Sequence, residues 1–150
     1  PDPAVLQSYH AQRIAAGLAE QGVDFSANEV FPADINMDLL GGVDFAKGCF
    51  VGQEVVSRMK RRGTARRRTL TLAIEGDAPT PPAPVLSGGE EVGQLTSAAG
   101  GRGLARLRID RIEDVAATLT SGAARLRIEA PPWLEGERER LAATRDAKLP

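Results

Sequence analysis

The sequence predicts an α+β chain, with a helix-and-loop segment over residues 1–62, a small antiparallel β-barrel over 63–134 and a tail over 135–150. Three observations carry this. Apolar residues near the start recur at helical spacing. Several runs after Arg67 alternate apolar and polar with period two. Tight-turn residues separate those runs at short intervals, the pattern of a small barrel or sandwich.

Val5, Leu6, Tyr9, Ile14 and Leu18 follow helical spacing and predict a helix over residues 4–21, stopped by Gly22. Residues 22–35 read as a connecting loop broken by Asn28, Pro32 and Asp34. Asn36 is suited to cap a short turn through Leu40, which Gly41-Gly42 ends. Residues 43–51 read as a loop or short extended piece that contains the one cysteine, and Gln53 to Arg61 read as a helix closed by Gly63. From there the pattern changes. Thr69 to Ile74 alternates as a half-buried strand, Pro79 to Pro84 is a loop, and Ser87-Gly88-Gly89-Glu90 joins two strands as a hairpin. Gly100-Gly101-Arg102-Gly103 makes a second hairpin leading into Leu104 to Ile109. Arg125 to Glu129 supplies one more strand, for five or six in all, and Pro131-Pro132 ends it. Trp133 is expected to plug the barrel end. Leu134 to Lys148, rich in Glu, Arg and Ala, is expected to be a terminal helix or a frayed tail.

Composition narrows the class. The 150 residues are 42% hydrophobic and 26% charged, as in globular proteins. No apolar run approaches the roughly 18 residues that span a bilayer, so no membrane role is expected. The start at Pro1-Asp2-Pro3 reads as an internal cut in a longer protein. A lone cysteine excludes an internal disulfide and fits a reducing compartment, for which the cytoplasm is the expectation. No His, Cys and carboxylate spacing suggests a metal site, and one thiol cannot hold a cluster that needs about four ligands.

The net charge of −1 conceals an asymmetry: −6 over residues 1–57, +7 over Arg58 to Arg68, and −2 beyond. Arg58, Lys60, Arg61, Arg62, Arg66, Arg67 and Arg68 make the cationic stretch. A solvated or ion-paired face, a site for a polyanionic ligand and an RNA surface all fit it. The lack of interleaved aromatics weighs against RNA, since 4% of the chain is aromatic.

The segment Lys47-Gly48-Cys49-Phe50-Val51-Gly52-Gln53-Glu54, with Arg58 following, carries the sharpest signal. A thiol acts as nucleophile or ligand in its thiolate form. Lys47 supplies a nearby cation, Gly48 permits close approach, and a helix starting near Gly52 offers its positive end, with Gln53 and Glu54 placed to cap it. The competing reading is a small buried apolar residue. His10, the one histidine, reads as an ordinary helix residue.

This motif resembles the signature of the YgfZ family, Lys-Gly-Cys-Tyr-x-Gly-Gln-Glu followed by Arg, with Phe50 in place of the usual Tyr. The similarity runs from about Tyr9 to Trp133 and includes Phe31-Pro32 through Asn36 and Gly41-Gly42-Val43-Asp44-Phe45. The resemblance implies the C-terminal half of a folate-binding protein that supports assembly or repair of iron–sulfur enzymes, with Cys49 as its working thiol. It implies tetrahydrofolate as cofactor and iron–sulfur clients or assembly proteins as partners. The related glycine-cleavage T-protein suggests an alternative, a folate-dependent aminomethyltransferase. Arg13-Ile14-Ala15-Ala16-Gly17-Leu18 resembles the T-protein segment Arg-Leu-Glu-Ala-Gly-Leu, which lines its folate cleft. Arg13 thereby inherits a contact to the folate carboxylate, against the reading of an exposed helix arginine. Ala15 stands where the T-protein has Glu, which argues for an accessory factor over an enzyme. Arg61 and Arg62 are the candidates for a polyglutamate tail.

Overall fold

Six strands close into an antiparallel barrel in the order β1-β4-β3-β2-β5-β6 in the computed structural model. It describes residues 2–49, 51–62 and 65–147, with the side chains of Lys60, Arg61 and Arg62 outside that set. The strands are β1 (Arg67–Glu75), β2 (Ala83–Ser87), β3 (Glu90–Ala99), β4 (Arg102–Arg108), β5 (Leu119–Ser121) and β6 (Ala124–Ile128). Before them come α1 (Pro3–Ala15), a 3-10 turn (Pro32–Ile35) and α2 (Gln53–Arg62); a second 3-10 turn (Ile109–Arg111) follows β4, and α3 (Leu134–Asp146) closes the chain. The predicted α+β class with a small barrel is what the chain adopts.

Period-two alternation builds the barrel interior. Leu70 and Leu72 of β1, Val85 of β2, Val92 and Leu95 of β3, Ala105 and Leu107 of β4, Leu119 of β5, and Ala124 and Leu126 of β6 fill it, and all are buried. Leu134, at the start of α3, joins the same core, with Trp133 half-buried against it, so the chain after Pro132 closes one end of the barrel. β5 was not read from the sequence as a separate strand. Its three residues are too few to show a period, and its register against β6, Leu119 opposite Leu126, is what defines it.

Close packing of strands fixes one glycine. A Cβ on Gly93 would stand 2.2 Å from the Arg106 carbonyl oxygen and 2.8 Å from the Leu107 Cα. Both are backbone atoms that cannot turn aside. Gly93→Ala is therefore expected to destabilise the chain by about 2–3 kcal/mol, as overpacking does, measured as a lower urea midpoint at constant slope. An unchanged midpoint would show that the strands separate freely there.

The outward face of β1 carries a different chemistry. Thr69 and Thr71 point away from the core yet are buried, because the N-terminal segment lies over them. The Thr71 hydroxyl donates to the Ile14 carbonyl at 2.9 Å, and the Thr69 hydroxyl to the Asp34 carbonyl at 2.8 Å. Asn36 Nδ2 donates to the Thr69 carbonyl at 2.6 Å. These bonds explain two departures from the sequence reading. Helix α1 ends at Ala15 rather than near residue 21, because Gly17 turns the chain at φ +71°; the Ile14 carbonyl then accepts from Gly17 N–H at 3.0 Å as well as from Thr71. Asn36 opens the turn to Leu40 through its backbone carbonyl, but its side chain tethers the turn to the barrel instead of capping it.

The expected boundary at Gly63 lies outside the described residues. On either side of it the N-terminal segment and the barrel share buried hydrogen bonds. Among the described residues no helix is long and apolar enough to cross a membrane.

Candidate functional site

The cysteine segment is a loop on the surface. After Leu40 the chain turns at Gly41 and Gly42 and drops two half-buried side chains, Val43 and Phe45, toward the body. Ala46 N–H donates to Asp44 Oδ1 at 2.9 Å, tightening the turn that follows. Lys47, Gly48 and Cys49 are then exposed, and Cys49 is a free thiol. The apolar-burial reading of Cys49 is thereby excluded. Phe50, the departure from the family pattern, lies outside the described residues.

Gly52 adopts φ +87°, a conformation that side chains resist, and its carbonyl accepts from Val56 N–H at 3.3 Å to begin α2. Glu54 and Arg58 of the motif pair on the exposed face of α2 at 2.7 Å. A Glu four residues before an Arg stabilises a helix by only about 0.3–0.5 kcal/mol. Nothing among the described residues requires Gly48. No atom among the described residues lies within 4 Å of where its Cβ would stand, and its φ is not positive. Gly48→Ala is accordingly expected to leave stability within about 0.5 kcal/mol of the parent, read by thermal unfolding. A large loss would mean that the loop packs more tightly than its exposure indicates.

Beneath this loop lies a cavity of about 250 Å³. Val43 and Phe45 of the loop, Val56 and Met59 of α2, and Pro32, Ala33 and Leu39 form its apolar walls. Its polar end is a cluster centred on Arg68, which is buried where the other described side chains of the cationic stretch, Arg58, Arg66 and Arg67, are exposed. Strand parity puts Arg68 on the same side of β1 as Leu70 and Leu72, at the barrel mouth, and its side chain is 2% exposed. Its guanidinium meets Asp38 in a fork, Nη1 to Oδ1 at 2.6 Å and Nη2 to Oδ2 at 3.0 Å. Nη2 also donates to Glu137 of α3 at 2.6 Å, and Nη1 to the Ala33 carbonyl at 2.8 Å. The Trp133 ring centre lies 5.9 Å from Cζ. Burial by itself lowers the Arg68 pKa; the bonds and charges of Asp38 and Glu137 outweigh it, so the net shift is upward. Arg68 thus ties the 3-10 turn region, the barrel and α3 together under the cysteine loop. The sequence reading leaves its role open with the rest of the cationic stretch, although its even register with Leu70 and Leu72 is the available signal of burial.

Arg13 is likewise not an exposed helix arginine. It is 5% exposed. Its Nη1 donates to Asp24 Oδ2 at 2.5 Å and to the Leu18 carbonyl at 3.1 Å, and its Nε to His10 Nδ1 at 3.0 Å. Glu20 Oε2 lies 3.1 Å from Nε. Asp24 in turn accepts from Thr96 of β3 at 2.6 Å. Arg13 therefore holds the loop after α1 against the barrel, and only its Nη2 lacks a partner. Ala15, by contrast, faces solvent. It lines a shallow cleft of about 160 Å³ with Ala16, Gly17, Leu40, Glu129 and Trp133.

The cationic stretch is therefore not one patch. Arg58 is paired on α2, Arg66 and Arg67 face solvent, and Arg68 is buried. The side chains of Arg61 and Arg62 lie outside the described residues. Among the described residues no group of three His, Cys, Asp or Glu could hold a metal ion.

Comparison with known proteins places these features. Residues 66–136 match the family model described as CAF17, C-terminal beta-barrel domain. That match spans all six strands of the barrel. Beyond the barrel, the chain is 32% identical over 136 residues to the iron-sulfur cluster assembly factor IBA57, mitochondrial, of Mus musculus, covering 85% of this chain and 38% of that protein. It is 30% identical over 142 residues to the IBA57 homolog of Coccidioides immitis, covering 77% and 33%. The chain thus spans about a third of the length of these relatives. Their names carry the word mitochondrial, which differs from the cytoplasmic location expected from composition. Among solved structures, the glycine cleavage system aminomethyltransferase T of Bartonella henselae superposes with a TM-score of 0.59 at 16% identity, over 81% of this chain and 36% of that one. That likeness is one of fold.

Proposed function

We propose that this chain is the barrel-bearing part of an accessory factor that supports assembly or repair of iron–sulfur proteins, with the Cys49 thiol as its working group. The observation that carries the reading is the exposure of Cys49 in a loop braced from below by α2 and the Arg68 cluster. A lone exposed thiol serves as a transient ligand or nucleophile rather than a permanent cluster site. The relatives named as iron-sulfur cluster assembly factors support the same class of role. The partners are then iron–sulfur clients or assembly proteins, in a compartment that keeps the thiol reduced.

Tetrahydrofolate is the proposed cofactor of the full-length protein. The cleft beside Ala15 is smaller than the roughly 300–1,000 Å³ that enclose a ligand of that size, so these residues supply one wall at most. A direct contact from Arg13 would have to use Nη2, its one unpartnered nitrogen. Arg61 and Arg62 are proposed to meet the polyglutamate tail. In the full-length protein, Arg61→Glu with Arg62→Glu is expected to weaken polyglutamylated tetrahydrofolate about tenfold and the monoglutamate far less, by calorimetric titration. Equal losses for both forms would remove the tail site.

The fold likeness to aminomethyltransferase T favours a second reading, one-carbon transfer catalysis. Ala15 opposes it, since a methyl group neither donates nor accepts a proton. An assay of methylene transfer to tetrahydrofolate from a lipoyl-carrier intermediate separates the two. The accessory reading expects no turnover above background, and turnover at enzymatic rates would replace it.

A further inference from the structure

We propose that the outer face of the barrel where β1, β4 and β3 meet is a docking site for an acidic protein segment. The N-terminal segment covers this side of the sheet as far as Arg106, which Glu29 pairs, and leaves Arg67 and Arg111 exposed beyond it. A groove of about 430 Å³ runs there, lined by Arg67, Gln94, Arg106, Arg108 and Arg111 over a floor at Gly93. The register sets Arg67 directly opposite Arg108, and Arg106 between Thr69 and Gln94.

Like charges directly opposite on neighbouring strands cost stability, so this arrangement does not serve the fold. Internal acids relieve only part of it. Arg106 pairs with Glu29 and Arg108 with Asp110. The Asp110 carboxyl sits below the ordinary carboxylate range: burial raises it, but the bond to Arg108 and the charges of Arg108 and Arg66 prevail. Arg67 and Arg111 have no ion pair with any of the described residues, and the groove keeps an excess of cations over Glu91 and its two paired acids.

The chemistry of the walls selects the occupant. Guanidinium forks match carboxylates in bidentate fashion. No aromatic side chain lines the groove, so nucleobases find nothing to stack on. The barrel is closed, so no free strand edge is offered and the occupant is held by side chains. The groove shares no residue with the cavity under the cysteine loop, so its failure would leave the proposed function standing.

The test uses the whole chain and a fluorescein-labelled decaglutamate peptide, followed by anisotropy at low and physiological salt. Binding that weakens with salt is expected, and Arg67→Glu with Arg111→Glu should reduce affinity by about tenfold or more. Arg125→Glu with Arg145→Glu makes the same charge change at exposed sites elsewhere and should alter affinity by less than about twofold. Circular dichroism checks that each variant folds; should the groove pair unfold, Arg67→Gln with Arg111→Gln is expected to give the same ordering. Equal losses from both pairs, or no binding at low salt, would overturn the proposal. Tighter binding of an oligothymidylate of equal charge, lost on the groove reversal, would reassign the face to nucleic acid.

Discussion

Arg68→Met should lower the stability of the chain by about 3–5 kcal/mol, the cost of leaving Asp38 without its guanidinium and Glu137 with Arg140 alone. Asp38 and Glu137 keep side-chain exposures of only 17% and 9%, so water cannot fully replace the guanidinium. The Ala33 carbonyl loses one of its two donors in the same step and keeps Asn36 N–H. Arg68→Lys should recover part of the loss and remain about 2 kcal/mol below the parent, because one ammonium cannot present the fork that Asp38, Glu137 and Ala33 share. Removing both acids as well, in Arg68→Met with Asp38→Leu and Glu137→Leu, should restore much of the stability, since an apolar cluster of similar volume does not carry uncompensated charge. Urea unfolding of the four proteins measures this. An Arg68→Met midpoint equal to the parent's would mean that the cluster does not brace the region beneath the cysteine loop.

Cys49→Ser is expected to behave in the opposite way. The side chain is exposed, so stability should stay within about 0.5 kcal/mol of the parent. Function should nevertheless be lost, because a hydroxyl replaces sulfur as both nucleophile and soft ligand. The pairing of an unaltered fold with a lost function is what separates a working thiol from a packing residue.

Much of this architecture was legible in the sequence. The alternation in Thr69 to Ile74 and Leu104 to Ile109, with Gly100-Gly101 between strands, placed the barrel correctly. The Gly52-Gln53 start of α2 followed from local chemistry as well. The misses share one cause, which is that side chains were judged by type instead of by what would lie over them. Arg13 and Arg68 carry charge and read as surface groups, yet each is buried by acids distant in sequence: Asp24, and Asp38 with Glu137. The apolar pattern Ile14…Leu18 continues past the end of helix α1, which the Gly17 turn sets and which Thr71, 57 residues away, ties to the barrel. The cysteine's exposure was open at sequence level, as Phe and Val flank it on one side.

Cells lacking the full-length protein and resupplied with its Cys49→Ser form give the most direct test of the thiol's role, with iron–sulfur enzyme activity measured alongside the abundance of the variant. Normal abundance with activity no higher than in the unsupplied cells is the expected result. Activity equal to that given by the unaltered protein would contradict it, and would leave the exposed loop without the chemistry assigned to it here.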